Sequence, residues 1–154
     1  MKTRKQNAEV LFADEDVRVL SSAEIEMVSR AALANPSGKA RICLHRSPDA
    51  PLHEMLVALR RDVRYPPHRQ LRSEETHFVL LGQASLLLYR EDGGLWKRLE
   101  LGEAGSGRPG YSRIPAGVFH CLEIESEVCV FLETKLGPFS PEDNEFAFFA
   151  WKDS

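Results

Sequence analysis

Long apolar runs are missing from this sequence. No stretch of about 18 apolar residues occurs, so no segment is suited to cross a membrane as a helix. Cysteine is scarce: there are three, Cys43, Cys121 and Cys129, an odd number without a CxxC pair. That excludes a disulfide framework and a cysteine-built zinc site, and it fits a reduced, cytoplasmic setting. A basic excess is also lacking. Lys plus Arg number 20 against 23 for Asp plus Glu, a formal net charge of −3, which argues against a dedicated nucleic-acid binder. The basic start, Met1 to Gln6, is not followed by an apolar core, so a secretory signal is not expected. Internal repeats and low-complexity tracts are absent. What is present is 43% hydrophobic and 28% charged residues, the composition of a folded protein. A length of 154 residues suits one domain, 1–154, with residues 1–9 polar and frayed.

One helix is expected, at about 21–34. Ser21-Ser-Ala-Glu24 is a capping-box pattern, Ile25, Val28 and Ala32 recur at helical spacing, and Asn35-Pro36-Ser37-Gly38 stops the run. Val17 and Val19 suit a short strand before it. From about 40 to 151 the texture changes to short apolar runs separated by turn signals about every ten residues, the mark of a β-sandwich or barrel. These runs fall at 41–45, 56–59, 63–70, 76–81, 84–89, 95–101, 111–114, 118–124, 128–134 and 146–151. Glu91-Asp92-Gly93-Gly94 reads as a hairpin turn. The segment from His53 to Arg60 suits either a short helix or a strand.

Two histidine-bearing segments carry the chemistry. In the first, His68 and Gln70 are two apart and share a strand face, and Glu75 opens the next strand after a corner. In the second, Pro115 and Gly117 make a turn and His120 begins the following strand. Two imidazoles and one carboxylate with open positions form a facial-triad site for a first-row divalent ion, which then polarises a bound oxygen.

These segments resemble the two motifs of the cupin superfamily. The first motif, HxH, three or four residues, E, six residues, G, is met by His68, Gln70, Glu75 and Gly82. The second, G, about five residues, PxGxxH, is met by Gly110, Pro115, Gly117 and His120, with the first gap one residue short. The wider chain resembles the WbuC-type cupin-fold metalloproteins in its N-terminal helix, in Tyr65-Pro66-Pro67-His68 and in the tail Glu133-Thr-Lys-Leu-Gly-Pro-Phe139. The resemblance implies a mainly β fold, a cupin-type double-stranded β-helix or jelly-roll barrel with a short N-terminal helix. It implies one divalent transition metal (Zn, Fe, Mn or Ni) held by His68, Gln70, Glu75 and His120. Gln70 departs from the family histidine; its amide oxygen is a weaker donor, so the set is either four ligands or the triad without it. The family's occurrence among surface-polysaccharide genes points to sugar chemistry.

The remaining candidates are weighed against plain structural roles. His77 shares the face of Glu75, and Glu133 interrupts an otherwise apolar run; these two are the candidate proton carriers. Tyr65, Tyr111 and His45 are candidate substrate contacts, with His53 a weaker one. Arg60, Arg61, Arg64, Arg69 and Arg72 form the one local charge asymmetry; alternation back from His68 makes Arg64 the inward candidate for an anionic small molecule. The expected function is a metal-dependent enzyme acting on a small polar substrate such as a sugar derivative. A non-catalytic ligand-binding or sensing barrel and a mononuclear dioxygenase are the alternatives. No nucleic-acid or membrane partner is expected. A homodimer is expected through apolar edges at 17–20 and in the tail with Phe148, Phe149 and Trp151.

Overall fold

The computed structural model describes residues 1–149. Trp151, placed above in the terminal apolar run, lies outside the described residues. The protein is mainly β, 46% strand and 11% helix. In chain order the elements are β1 (Thr3–Lys5), β2 (Val10–Ala13), α1 (Ser22–Ala34), β3 (Lys39–Cys43), β4 (Leu52–Arg60), β5 (His68–Gln70) and β6 (Glu75–Leu81). They continue with β7 (Gln83–Tyr89), β8 (Leu95–Gly102), β9 (Tyr111–Ile114), β10 (Phe119–Ile124), β11 (Val128–Leu136), a 3₁₀ turn at Pro141–Asp143 and β12 (Asn144–Phe146).

The strands form two sheets. One runs β1-β2-β3-β4-β11-β6-β9, the other β12-β5-β10-β7-β8. Between them lies an apolar core that includes Leu59, Val79, Leu86, Leu101, Ile114 and Phe131. The helix covers the outer face of the larger sheet: Val28 and Ala32 pack on Ala40, Ile42, Leu56, Ala58 and Val130. Strand alternation then dictates what faces inward. On β3, β4 and β11 the even positions meet the helix, so Lys39, Arg41, Val57, Leu59, Phe131, Glu133 and Lys135 turn toward the space between the sheets.

Local chemistry explains the ends. Ser21 caps the helix: its hydroxyl accepts from the Ala23 amide at 3.3 Å, and Glu24 Oε2 accepts from the Ser21 amide at 2.9 Å. Such a cap contributes about 1 kcal/mol. Gly82 is the single residue between β6 and β7, where the chain passes from one sheet to the other. Its φ of +83° is left-handed, and a Cβ there would lie 2.5 Å from the Val128 carbonyl oxygen.

Several local expectations are corrected. Thr3–Lys5, placed in a frayed tail, pairs antiparallel with β2, because Val-Leu-Phe-Ala at 10–13 supplies the apolar strand it needs. The short strand before the helix is that one, not 17–19; Val17 and Val19 are exposed. The ambiguous segment is strand β4, whose register with β11 runs over nine residue pairs from Val128↔Arg60 to Leu136↔Leu52. Of the 63–70 run only His68–Gln70 is strand, since Pro66 and Pro67 have no amide hydrogens to donate. The last strand is Asn144–Phe146, with Ala147, Phe148 and Phe149 outside it.

Candidate metal centre

His68 and His120 are brought together by a strand pair. They are direct register partners on β5 and β10, with ring centroids 4.6 Å apart. Glu75 approaches from the opposite sheet at the start of β6. The ligand atoms of His68, Glu75 and His120 all lie within 4.8 Å of one another. Glu75 and His120 are both buried, at 2% exposure each.

The hydrogen bonding leaves lone pairs aimed inward. His120 Nδ1 is 2.9 Å from the Val118 carbonyl, which can only accept, so Nδ1 carries the proton and Nε2 presents a lone pair. That Nε2 sits 3.5 Å from Glu75 Oε1 and makes no hydrogen bond. His68 Nδ1 is likewise buried without a partner. A buried polar atom left so costs about 1–3 kcal/mol. A divalent cation is the group that two imidazole lone pairs and a carboxylate jointly accommodate, so the donor set fits a first-row metal ion.

Electrostatics prepare the ligands for that role. Burial, with His120 adding repulsion, pushes His68 down to about 4, so it is neutral at pH 7. Burial alone would raise Glu75, but the two imidazoles beside it, His120 and His77, outweigh that and hold the carboxyl well below its usual range. His77 Nε2 lies 2.9 Å from Glu75 Oε1. Burial works against its protonation, yet the Glu75 contact prevails and raises it.

Gln70 is buried, and its Nε2 donates to Glu75 Oε2 at 3.1 Å and to Asn144 Oδ1 at 3.5 Å. The reverse amide orientation would set two oxygens against each other. In this arrangement the Gln70 amide holds Glu75, one of the three clustered ligand-type groups, in place.

A cavity of about 200 Å³ opens beside the triad. At roughly 30 Å³ per water it has room for about seven waters or a compact polar molecule. Tyr65, His68, Gln70, Glu75, His77, His120 and Glu133, all singled out in the sequence, line it. Glu9, Lys39, Arg41, Lys135 and Asn144 line it too, and sequence reasoning missed them. Lys135 is the most consequential. Its Nζ is 3.3 Å from Glu133 Oε1 and 4.0 Å from Glu75 Oε2, with 20% of its side chain exposed. Burial disfavours its charge, but Glu133 and Glu75 outweigh that and raise it above the ordinary lysine value.

Three expected substrate contacts are not in this cavity. Arg64 is exposed and donates to the Arg61 and Val63 carbonyls; the alternation that aimed it inward fails because 61–67 is not strand. Tyr111 is 55% exposed on β9, the edge strand of its sheet. His45 stacks on His53, centroids 4.0 Å apart, and its Nδ1 meets the Glu54 carbonyl. The arginine cluster is largely spent on ion pairs: Arg60 with Asp62, Arg69 with Glu145 and Glu91, Arg72 with Asp143. The cations at the cavity are Lys39, Arg41 and Lys135 instead.

A family model described as "Domain of unknown function (DUF6016)" matches residues 20–101. No curated protein sequence matches the chain. Protein SO0799 from Shewanella oneidensis is similar in structure, with a TM-score of 0.56 at 18% identity over 73% of this chain and 75% of that one. Streptomyces PAC13, solved with uridine, gives 0.54 at 15% identity over 73% and 79% of the two chains. The capsular polysaccharide assembling protein CapF from Staphylococcus aureus gives 0.54 at 16%, over 69% of this chain and only 29% of its own length. These neighbours share the cupin fold, and with two sheets and one helix this chain has it as well. Among the described residues no helix is long and apolar enough to cross a membrane.

Proposed function

The chain belongs to the family described as a domain of unknown function, DUF6016, and from that premise we propose that it is a mononuclear metalloenzyme acting on a small polar substrate, a sugar or sugar derivative. The observation that carries this reading is the His68–Glu75–His120 triad, with Glu75 and His120 buried and an inward lone pair on His120, set in the wall of the cavity. His68, Glu75 and His120 would hold the ion, and it would supply Lewis-acid polarisation of a substrate carbonyl or hydroxyl.

The chain's own residues supply the rest. The Val118 carbonyl fixes the His120 tautomer, and Gln70 and His77 hold the two oxygens of Glu75. Glu133 lines the cavity with its carboxylate against Lys135, where it takes or returns a proton at a substrate hydroxyl. Lys135 pairs with that carboxylate at 3.3 Å and holds it in place. Lys39 lies over the Tyr65 ring at 4.5 Å and, with Arg41, gives the cavity cations that suit an anionic substituent on the ligand. WbuC-type membership, a place in surface-polysaccharide biosynthesis, a cytoplasmic setting and a homodimer are parts of the same proposal. They rest on the Tyr65-Pro66-Pro67-His68 and Gly137-Pro138-Phe139 resemblance, the reduced cysteines and the exposed apolar side chains.

The test is turnover of a panel of sugars and sugar acids by protein loaded with Zn, Mn, Ni or Fe. Activity with one metal, reduced about 10²–10⁴-fold in Glu133→Gln at unchanged metal content, supports the enzyme reading. Saturable ligand binding without turnover establishes the sensing alternative, and stoichiometric oxygen uptake by the ferrous protein establishes the dioxygenase.

A further inference from the structure

The cavity contains a second group of metal-ligand type. Glu75, His77 and Glu133 bring their ligand atoms within 4.8 Å of one another, and Glu75 is shared with the first triad. The strand register builds this group: Glu133 is the cross-strand partner of His77, and Lys135 is the partner of Glu75, both on the β11–β6 ladder. Two adjoining groups bridged by one carboxylate are the layout of a dinuclear centre, in which two divalent ions flank a bridging ligand. Here, however, a cation of the chain itself occupies the second position. The Lys135 ammonium lies 3.3 Å from Glu133 Oε1 and 4.0 Å from Glu75 Oε2. Lys135 comes from the strand that carries Glu133, two residues on, so alternation puts both side chains on one face.

We propose that Lys135 is the resident cation of the Glu75–His77–Glu133 group, and that its ammonium is what limits this cavity to a single metal ion. A divalent ion and the ammonium cannot share so small a space, because both draw on the same two carboxylates and repel each other at this range. The group is otherwise complete for a cation. His77 Nδ1 is buried without a partner, and no other side-chain cation lies within ion-pair distance of Glu133 among the described residues. Removing the ammonium while keeping the stem therefore opens a second divalent-cation site with one imidazole and two carboxylates. That donor set suits zinc or manganese.

The experiment counts metal. Wild type, Lys135→Met, Lys135→Arg and Lys135→Met/Glu133→Gln are stripped with chelator and titrated with zinc by calorimetry, with bound zinc counted by elemental analysis. Lys135→Met should bind one zinc per chain more than wild type. Lys135→Arg should match wild type, and Glu133→Gln should abolish the extra ion. Where Lys135→Met does not give a cooperative thermal transition, Lys135→Gln takes its place, with the same expected gain. An unchanged zinc count on loss of the ammonium overturns the proposal, as does an extra zinc that survives Glu133→Gln. The inference builds on the metal reading above, but the two fail separately. That reading is judged by the wild-type count of one, this one by the difference between variant and wild type.

Discussion

Metal-free protein should lose stability on mild acidification through His68. Its pKa falls from 6.5 to about 4 in the folded chain because burial, then the neighbouring His120, disfavours the charged imidazole. A base with a depressed folded pKa contributes its full stability above the unfolded value and loses it as pH falls, because the unfolded chain takes up the proton first. The window therefore opens near pH 6.5 and closes near pH 4. At about 1.4 kcal/mol per unit the group removes roughly 3 kcal/mol across it, of which about 2 kcal/mol is gone by pH 5. For a chain of this size that is a fall of about 6–12 °C in Tm. His77 works in the opposite sense: its pKa is raised by Glu75, so its contribution is complete below its unfolded value and fades as pH rises. Comparison with His68→Gln, neutral throughout, isolates the one residue. The assay is urea denaturation of chelator-treated wild type and His68→Gln between pH 7.5 and 4.5. The wild-type curve should fall faster by the stated amount. Parallel curves would refute the reasoning, since they would mean that His68 is not held neutral by its surroundings.

Other outcomes follow from the same geometry. Gln70→Ala leaves Glu75 without its amide donor, so metal affinity should drop about 10–100-fold at unchanged stoichiometry in a chelator competition; an equal affinity would mean that the amide does not orient the carboxylate. Gly82→Ala places a Cβ 2.4 Å from Ser126 Oγ at a left-handed φ, and should destabilise by more than about 1–2 kcal/mol in chemical denaturation. Light scattering at micromolar concentration should give twice the 17.4 kDa chain mass, with the exposed Val17, Val19 and Phe148 among the side chains available for burial; a species of chain mass alone counts against the homodimer.

The parts of the site that sequence reasoning reached are those fixed by local order. His68, Gln70 and Glu75 sit within eight residues, and His120 follows a Pro-x-Gly turn, so strand alternation and a motif reach all four. Lys135 was invisible because its meaning comes from register. It meets Glu75 across a ladder between strands far apart in the chain, and nothing near Lys135 in sequence announces that partner. Arg41 and Lys39 were missed for a related reason. Their inward direction is decided by the helix, which claims Ala40 and Ile42 for the other face of β3. Arg64 shows the converse error, in which alternation was carried through two prolines where no strand exists. His45 and His53 looked like pocket residues one by one; the fold stacks them on each other, against the edge of Phe12.

The central claim is that one divalent ion is held by His68, Glu75 and His120, and its most direct test is elemental analysis of protein made without an affinity tag. Wild type should carry one transition metal per chain. His68→Ala, Glu75→Ala and His120→Ala should each carry essentially none while still unfolding cooperatively, because the apolar core between the sheets and the packing beneath the helix do not depend on the ion. Full metal content in any of the three variants, or metal-free wild type after growth with Zn, Mn, Fe and Ni supplied, would contradict it.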